Sequence, residues 1–219
     1  MAELVFHSMA DSAYLWTAML IAREKGVPYE FAPLEYRSPE HLRMHPFGKM
    51  PVMQHGDVFL YETAAIAHYI DRAFEGPALQ PPDALGQANT IRWICIVNSY
   101  VFPVMNRFMK ERLVKPLWGA VPDTAFLEAA PEQLALQMRL IDEAVCGGRF
   151  LAGDAYTIAD SFLFPDLLFY GLTDEGKAHL AEFKGAADWL ARMQARPSFA
   201  TTPMAQAYQA MRNLPNAAR

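Results

Sequence analysis

The sequence predicts a chain of two domains, a mixed α/β domain followed by an entirely helical one. Three observations support this prediction. Short apolar runs typical of strands occur only in about the first third of the chain, around one helical pattern. A proline-rich segment follows near residue 80, as in a linker between domains. Beyond this segment the apolar residues recur at helical spacing only.

The chain begins with a strand, a helix and a second strand. Residues 4–7 form an apolar run that is too short for a helix, and residues 29–34 form another short strand. Between them, apolar residues recur at helical spacing from Ala13, and Gly26 after a charged turn is typical of a helix C-cap. This order predicts a right-handed βαβ unit with parallel strands.

A hairpin and a helix complete the first domain. After a polar stretch at residues 37–46, two short strands at 52–54 and 58–61 flank a His-Gly-Asp turn. Residues 64–74 then carry apolar side chains on one helical face. The predicted order is therefore βαβ, loop, ββα, and the predicted extent of this domain is residues 1–76.

The rest of the chain is predicted to be helical. A proline-rich linker at residues 77–86 leads to an all-helical domain at residues 87–219. Pro103 lies inside the first helical pattern and is expected to kink it. The helical patterns lie at residues 85–114, 124–144, 158–170, 175–183, 186–195 and 203–212.

Composition limits the classes of function. Apolar residues make up 53% of the chain and charged residues 20%, so a sizeable core can form. The net charge of −5 and the lack of a basic run argue against nucleic-acid binding. The longest apolar run is too short for a bilayer and no signal peptide is recognisable, so we expect a cytoplasmic protein with no membrane partner. Cys95 and Cys146 show no disulfide pattern and are expected in the core.

Three short segments carry the residues of a known family. HPFGKMPV at 45–52 resembles the pattern N-P-x-G-K/Q-V-P, and YETAAIAHYI at 61–70 resembles E-S-x-A-I-x-x-Y-I/L. AGDAYTIAD at 152–160 resembles the capping motif of the family's second domain, in which Thr157 and Asp160 form a capping box. Together, in this order and at these separations, they resemble the cytosolic glutathione transferases, most closely bacterial relatives of the phi, delta and theta groups.

This resemblance implies a thioredoxin-like N-terminal domain followed by a helical-bundle C-terminal domain, assembled as a homodimer. It implies a detoxification enzyme that activates the thiol of its co-substrate glutathione for attack on an electrophilic, largely apolar small molecule. The alternatives are a non-catalytic binding module of the same fold and a glutathione-dependent peroxidase or reductase. The first loop lacks a cysteine, which disfavours thiol–disulfide exchange. No metal is expected, because His41 and His45 have ligand spacing but no third ligand.

The resemblance also assigns residues that hold glutathione. It implies a cis bond before Pro51, so that the backbone of Met50 pairs with the cysteinyl part of the tripeptide. Glu62 would bind the ammonium group of the γ-glutamyl end, and Thr63, at a helix start, would bind its carboxylate. The residues alone leave open a trans proline entering an edge strand, a solvated Glu62 and an ordinary N-cap at Thr63.

The glycine carboxylate of glutathione needs a cation. Lys49 is the first choice, because the family places a lysine or glutamine at this position. Arg37 and His41 are further candidates, and a solvated surface role is the alternative for each of them.

Catalysis requires a donor that lowers the pKa of the thiol, which is ~8.5 for a free thiol. Ser8, Ser12 and Tyr14 lie between the first strand and the body of the first helix. We expect Ser12, because it lies at the helix start and, counted back from Gly26, at the position of the serine of phi and delta relatives. The alternative donors are Ser8 and Tyr14. A further alternative is that Ser12 only caps the helix, a role for which Asp11 is also a candidate.

The second substrate is expected between the domains, against the first long helix. Tyr100, Asn106 and Arg107 are candidates for polar groups of this pocket. Its candidate walls are Met9, Phe102, Met105, Met109 and Trp118.

Overall fold

The first domain contains a four-stranded mixed sheet. In the computed structural model, which describes residues 4–213, the strands are β1 (Leu4–Ser8), β2 (Tyr29–Pro33), β3 (Val52–His55) and β4 (Val58–Tyr61). The strand order is β2-β1-β3-β4, with β1 parallel to β2 and antiparallel to β3, and β3 antiparallel to β4. The predicted βαβ unit and the predicted hairpin are therefore confirmed.

Two helices cover this sheet. α1 (Ala13–Lys25) connects β1 to β2 and is buried along most of its length. It ends where predicted, because Gly26 adopts the left-handed conformation, with φ 79°, and donates its N–H to the carbonyls of Ala22 and Arg23. α3 (Thr63–Ala73) packs beside α1 and buries the apolar face predicted for it.

The predicted polar stretch contains a short helix that the sequence analysis missed. α2 (Pro39–Met44) begins after Ser38, whose hydroxyl accepts the N–H of His41, and Pro39 occupies its first turn. With six residues it is too short to show a helical period of apolar side chains. The Ser-Pro pair is the signal in the sequence that indicates its start.

One long, continuous helix opens the second domain, beginning at Ala84 within the predicted linker at 77–86. Pro103 lies in a π-helical stretch of this helix, whose wider turn accommodates a residue without an N–H. The side-chain amide of Gln137 donates to the carbonyl of Tyr100 in the same stretch at 2.8 Å. We call residues 84–117 the long helix; it consists of α4 (Ala84–Ile96), a π-helical stretch (Val97–Asn106), α5 (Arg107–Met109), a second π-helical stretch (Lys110–Val114) and α6 (Lys115–Leu117).

Seven further helices complete the described part of the second domain. Pro131 starts a new helix inside the pattern predicted at 124–144, and α12 is too short to show a period. Within residues 4–213, no helix is both long and apolar enough to cross a membrane. The seven helices are α7 (Thr124–Ala129), α8 (Pro131–Val145), α9 (Ile158–Tyr170), α10 (Asp174–Glu182), α11 (Lys184–Gln194), α12 (Pro197–Ala200) and α13 (Pro203–Arg212).

α9 forms the centre of the core of the second domain, and every one of its residues is buried. The predicted capping box starts this helix, since Asp160 accepts the N–H of Thr157 at 2.9 Å. The N–H of Leu151 and the indole N–H of Trp189 donate to the same carboxylate. Asp160 is thus a structural acid, as the sequence predicts.

Both cysteines are exposed, so the prediction that they lie in the core is wrong. Cys95 lies on α4, but Trp93 and Ile94 belong to the buried face of that helix and Cys95 points to the other side. Cys146 lies in a short 3-10 turn after α8. Apolar neighbours in the sequence suggested burial, but only one face of a surface helix packs against the core.

A buried ion pair holds the segment between the two domains. The ammonium group of Lys25 lies 3.1 Å from Asp71 and also donates to the carbonyl of Pro77. Asp71 accepts in addition the N–H of Leu79 at 2.8 Å and the side-chain amide of Gln80 at 3.0 Å. Burial opposes ionisation, but these hydrogen bonds hold the pKa of the Asp71 carboxyl below its usual range.

Asp71→Ala is expected to lower the free energy of unfolding by about 3–5 kcal/mol, because it leaves the charge of Lys25 buried without its partner. Urea denaturation followed by circular dichroism measures this change. Asp188→Ala, which removes an exposed acid of α11, is the control and should change the free energy by less than ~0.5 kcal/mol. A loss below ~1 kcal/mol at Asp71 would show that this ion pair does not hold the linker.

Candidate active site

The loop between β1 and α1 places two of the candidate donors in different environments. Ser8, at the end of β1, is fully buried, and its hydroxyl donates to the carbonyl of Met9 at 3.1 Å. Ser12 is the N-cap of α1; it is half-buried, and its Oγ accepts the N–H of Leu15 at 3.4 Å. Because a hydroxyl that accepts a hydrogen bond keeps its own hydrogen, Ser12 can donate to a group placed over the helix start.

Tyr14, the third candidate donor, is turned towards the second domain. Its hydroxyl donates to Oδ1 of Asn98 on the long helix at 3.1 Å, and its ring centroid lies 4.5 Å from that of Phe102. Burial, followed by the charges of Asp166 and Glu62, raises the pKa of this hydroxyl. Tyr14 is therefore protonated at neutral pH with its hydrogen used by Asn98, which disfavours it as the thiol donor.

The Met50–Pro51 peptide bond is cis, as the resemblance implies. Pro51 is buried, Met50 is half-buried, and the paired residues of β3 begin only at Val52. The Sδ of Met50 accepts the N–H of Met9 at 3.0 Å. The turn before β3 therefore lies against the loop between β1 and α1.

His41 connects two loops and does not face solvent. Its side chain is fully buried, its Nδ1 accepts the N–H of Arg37 at 3.0 Å, and its Nε2 consequently donates to the carbonyl of Lys49 at 2.8 Å. Both ring nitrogens of His41 therefore have partners within the fold, and neither is free for a carboxylate in this arrangement. Arg37 and Lys49, whose backbones it joins, both expose their side chains.

Glu62 and Thr63 lie at the start of α3. Glu62 is exposed and has a positive φ of 69°, which is uncommon for a residue other than glycine and often marks a functional site. Glu62 is also the N-cap residue, but its side chain makes no capping hydrogen bond. Thr63 is the buried first residue of the helix, so the alternative of Thr63 as the N-cap is not observed. Among the residues that the structure describes, no side chain therefore caps the start of α3. A helix start without a cap has free N–H groups that can bind an anion.

His45 is buried next to these residues. Its ring centroid lies 4.5 Å from that of Tyr61, and its Nδ1 has no hydrogen-bond partner within residues 4–213. Burial lowers the pKa of His45 against the opposing charge of Glu62, so the ring is neutral at neutral pH. No three His, Cys, Asp or Glu side chains of the described chain form a group that could hold a metal ion.

The candidate walls of the second-substrate pocket are only partly brought together. Met9 is exposed and Phe102 is half-buried, and both lie close to the first turn of α1. Met105 is 0% exposed and Met109 is 8% exposed, so both side chains pack into the core of the second domain. Trp118 is 78% exposed at the end of the long helix. The helical period in the sequence did not distinguish the face towards the cleft from the face towards the core.

A buried acid that the sequence analysis missed lies near Tyr14. Asp166, in the middle of α9, is 4% exposed, and its Oδ1 has no hydrogen-bond partner in the part of the chain that the structure describes. It receives a hydrogen bond from the side chain of Asn106, and the charge of Lys110 acts on it. Burial raises the pKa of the Asp166 carboxyl to about 8. The signal in the sequence is a single acid within an apolar helix.

Two family models match the chain. The model described as Glutathione S-transferase, N-terminal domain, matches residues 6–78, and the model described as Glutathione S-transferase, C-terminal domain, matches residues 93–197. Glutathione S-transferase 3 of Zea mays is 31% identical over 168 residues, which cover 74% of this chain and 75% of that protein. Probable glutathione S-transferase GSTF2 of Oryza sativa subsp. japonica is 28% identical over 204 residues, which cover 90% of this chain and 94% of that protein.

Solved structures are similar as well. Glutathione S-transferase III in apo form has a TM-score of 0.82 and is 29% identical, over 98% of this chain and 99% of that chain. Glutathione transferase F2 from Populus trichocarpa, with a TM-score of 0.84 over 94% of this chain and 99% of that chain, is 20% identical and supports the fold alone. The predicted closeness to bacterial relatives is not borne out, since the relatives from Zea mays and Oryza sativa are plant proteins of the phi class.

Asp166→Asn is expected to raise the free energy of unfolding at neutral pH. An aspartate of the unfolded chain titrates near pH ~3.9, whereas the pKa of Asp166 is about 8 in the fold. Below ~3.9 both states are protonated; as the pH rises towards about 8, the unfolded chain releases its proton and the fold loses stability. The gain from the neutral amide should therefore be below ~1 kcal/mol at about pH 4 and about 5 kcal/mol at about pH 8. Urea denaturation at both pH values measures it, and an equal gain at both would contradict the prediction.

Proposed function

Because the chain belongs to the glutathione S-transferase family, we propose that Ser12 and the turn formed by Met50, Pro51 and Glu62 carry its transferase activity. The reaction joins the thiol sulfur of glutathione to an electrophilic, largely apolar small molecule. The observation that supports this assignment is the contact between Met9 and Met50, because the turn before Pro51 lies against the loop that leads to Ser12. A tripeptide bound along this turn would have its sulfur near the start of α1.

Ser12 is proposed to stabilise the thiolate of bound glutathione. A free thiol has a pKa of ~8.5, so little of it is ionised at neutral pH. The Ser12 hydroxyl, which can donate its hydrogen, acts together with the N–H groups and dipole at the start of α1 to favour the anion. The thiolate attacks the electrophilic carbon; a leaving group then departs with the bonding electrons, or the adduct takes up a proton.

The γ-glutamyl and cysteinyl parts of glutathione are proposed to bind at the start of α3 and at the turn before β3. The exposed carboxylate of Glu62 pairs with the ammonium group, and the uncapped start of α3 at Thr63 binds the adjacent carboxylate. The backbone of Met50, which precedes the paired residues of β3, hydrogen-bonds the cysteinyl residue as an added strand would.

The glycine end is proposed to bind next to Lys49 and Arg37. Both side chains are exposed cations, and a carboxylate needs such a partner. His41 has an indirect role, because its ring joins the backbones of these two residues and fixes the distance between them. It is therefore a positioning residue of the glycine end.

The second substrate is proposed to bind beside Met9 and Phe102, where the first domain faces the long helix. The rings of Tyr14 and Phe102 pack together there, and an aromatic surface suits apolar or aromatic electrophiles. Trp118 is proposed as an outer wall of the same space, because its large side chain is exposed. Holding both reactants in one cleft lowers the entropy that the reaction step must lose.

A cytoplasmic homodimer is proposed as the working form. Both cysteines are free, which suits a reducing compartment. A second copy would cover exposed apolar side chains on the outer face of the long helix and after α2. These side chains are Phe47, Leu85, Ile91 and Tyr100.

Ser12→Ala is expected to lower kcat for conjugation of an aryl halide by about tenfold or more, while the Kd of glutathione changes by less than about threefold. The ultraviolet absorbance of the bound thiolate, followed against pH, should show a higher thiol pKa in the variant, because a donor to sulfur is lost. Ser8→Ala is the matched control, since the Ser8 hydroxyl is buried and donates to Met9. Unchanged turnover of Ser12→Ala would contradict the proposed role.

Glu62→Gln is expected to raise the Kd of glutathione by about tenfold, because a neutral amide does not pair with an ammonium group as a carboxylate does. Isothermal titration calorimetry measures the Kd. Glu75→Gln, at an exposed acid beyond α3, is the matched control and should bind glutathione as the unmodified protein does. If the unmodified protein, Glu62→Gln and Glu75→Gln bind glutathione with equal affinity, Glu62 does not bind the ammonium group.

A further inference from the structure

Three helices meet where the two domains touch. On α9, Phe162, Asp166 and Phe169 follow each other at intervals of about one turn and therefore lie on one face. The ring of Phe162 lies 6.4 Å from that of Tyr14, and the ring of Phe169 stacks on that of Trp16 at 5.1 Å, so this face meets α1. Asp166 lies between these two aromatic contacts, at the junction of the domains.

The carboxyl of Asp166 has few polar partners at this junction. Asn106 of the long helix donates a hydrogen bond to it, but Oδ1 has no partner among the described residues. None of the ion pairs formed within residues 4–213 includes Asp166. An ionised carboxylate here would be a buried charge without a hydrogen-bonded counterion, which is strongly unfavourable.

The titratable and charged groups that act on this carboxyl come from the elements packed against α9. From α1, Tyr14 is the titratable group, and its hydroxyl responds to the charge of Asp166. From the long helix, Lys110 acts through its charge, but its side chain is exposed and its field is screened by water. Arg107 of α5 is paired with Asp123 outside this junction. The neutral form of Asp166 is therefore the one that the surroundings favour.

The same junction fixes the start of α1. Tyr14 lies in the first turn of this helix, two residues after Ser12. Its ring contacts those of Phe102 and Phe162, and its hydroxyl is bound by Asn98. Because one turn of a helix moves as a unit, a displacement of Tyr14 also displaces Ser12 and the N–H groups beside it. A small misplacement of such groups is sufficient to lower a rate strongly.

We propose that Asp166 is a positioning residue: as a neutral carboxylic acid it keeps the first turn of α1 in place, and its ionisation displaces this turn and lowers turnover. The inference rests on the proposed function of Ser12. On ionisation the proton passes to solvent, and the remaining charge draws water in between Tyr14 and Asn106. Turnover should therefore fall at alkaline pH, where ionisation of the thiol alone would give a plateau.

The pH dependence of kcat at saturating glutathione tests this proposal, after subtraction of the uncatalysed reaction. One unit above a pKa of about 8, only about a tenth of Asp166 is protonated, so kcat should be about tenfold below its plateau at about pH 9. Asp166→Asn keeps the shape and a hydrogen-bonding group but cannot ionise; we expect its kcat at about pH 7 within about twofold of the unmodified protein, and no alkaline fall. Asp166→Leu should lower kcat at every pH.

Asp188→Asn, at an exposed acid of α11, is the matched control and should retain the alkaline fall. Carbon-13 NMR of labelled aspartate gives a readout without activity: one carboxyl signal should titrate near pH 8 and be missing in Asp166→Asn. An alkaline fall of equal size in Asp166→Asn, or none in the unmodified protein, would overturn the proposal. If the unmodified protein binds glutathione but conjugates nothing, the proposed function fails, and the NMR titration then shows separately whether Asp166 is neutral in the fold.

Discussion

The packing of α1 against α9 is the contact on which the arrangement of this protein depends. α9 is buried along its whole length and α1 along most of it, yet the two helices belong to different domains. Their contact is aromatic, with Trp16 stacked on Phe169 and Tyr14 against Phe162. Aromatic pairs bury a large apolar area in a fixed orientation. The second domain therefore determines where the first turn of α1 lies, and with it Ser12.

Contacts with the segment between the domains and with the second domain hold α1 at both of its ends. At its C-terminal end, Lys25 pairs with Asp71 and donates to the carbonyl of Pro77 in the segment between the domains. Next to it, the carboxylate of Glu24 accepts hydrogen bonds from Nε and Nη2 of Arg196, which follows α11. At its start, the hydroxyl of Tyr14 is bound by the long helix. Such ion pairs favour one arrangement of the helices, because separating the two partners leaves a buried charge without its counterion. Ser12, the candidate thiolate donor, is therefore the N-cap of a helix that has little freedom to move.

The candidate site contains the residues that depart from local conformational preference. Glu62 and Arg37 have positive φ angles although neither is glycine, and the side chain of Glu62 leaves α3 without a cap. One oxygen of Asp166 has no hydrogen-bond partner among residues 4–213, although it lies inside the core. Natural proteins tolerate such departures mainly at functional sites, where the surrounding structure enforces them. The buried His41 is an example of this support, because its ring fixes the backbones of Arg37 and Lys49.

Local signals in the sequence determined the strands, most helices and their ends. The glycine C-cap of α1, the hairpin turn and the capping box of α9 depend on residues within a few positions of each other, so they are readable from the chain itself. Only the tertiary structure decided which side chains are buried and what each face of a helix packs against. Met105 is buried, Cys95 is exposed, and Asp166 lies on the face of α9 that meets α1. The physical reason is that a helical period gives the faces of a helix but not the partners of each face. Those partners come from segments far apart in the sequence, and their packing fixes both burial and ionisation.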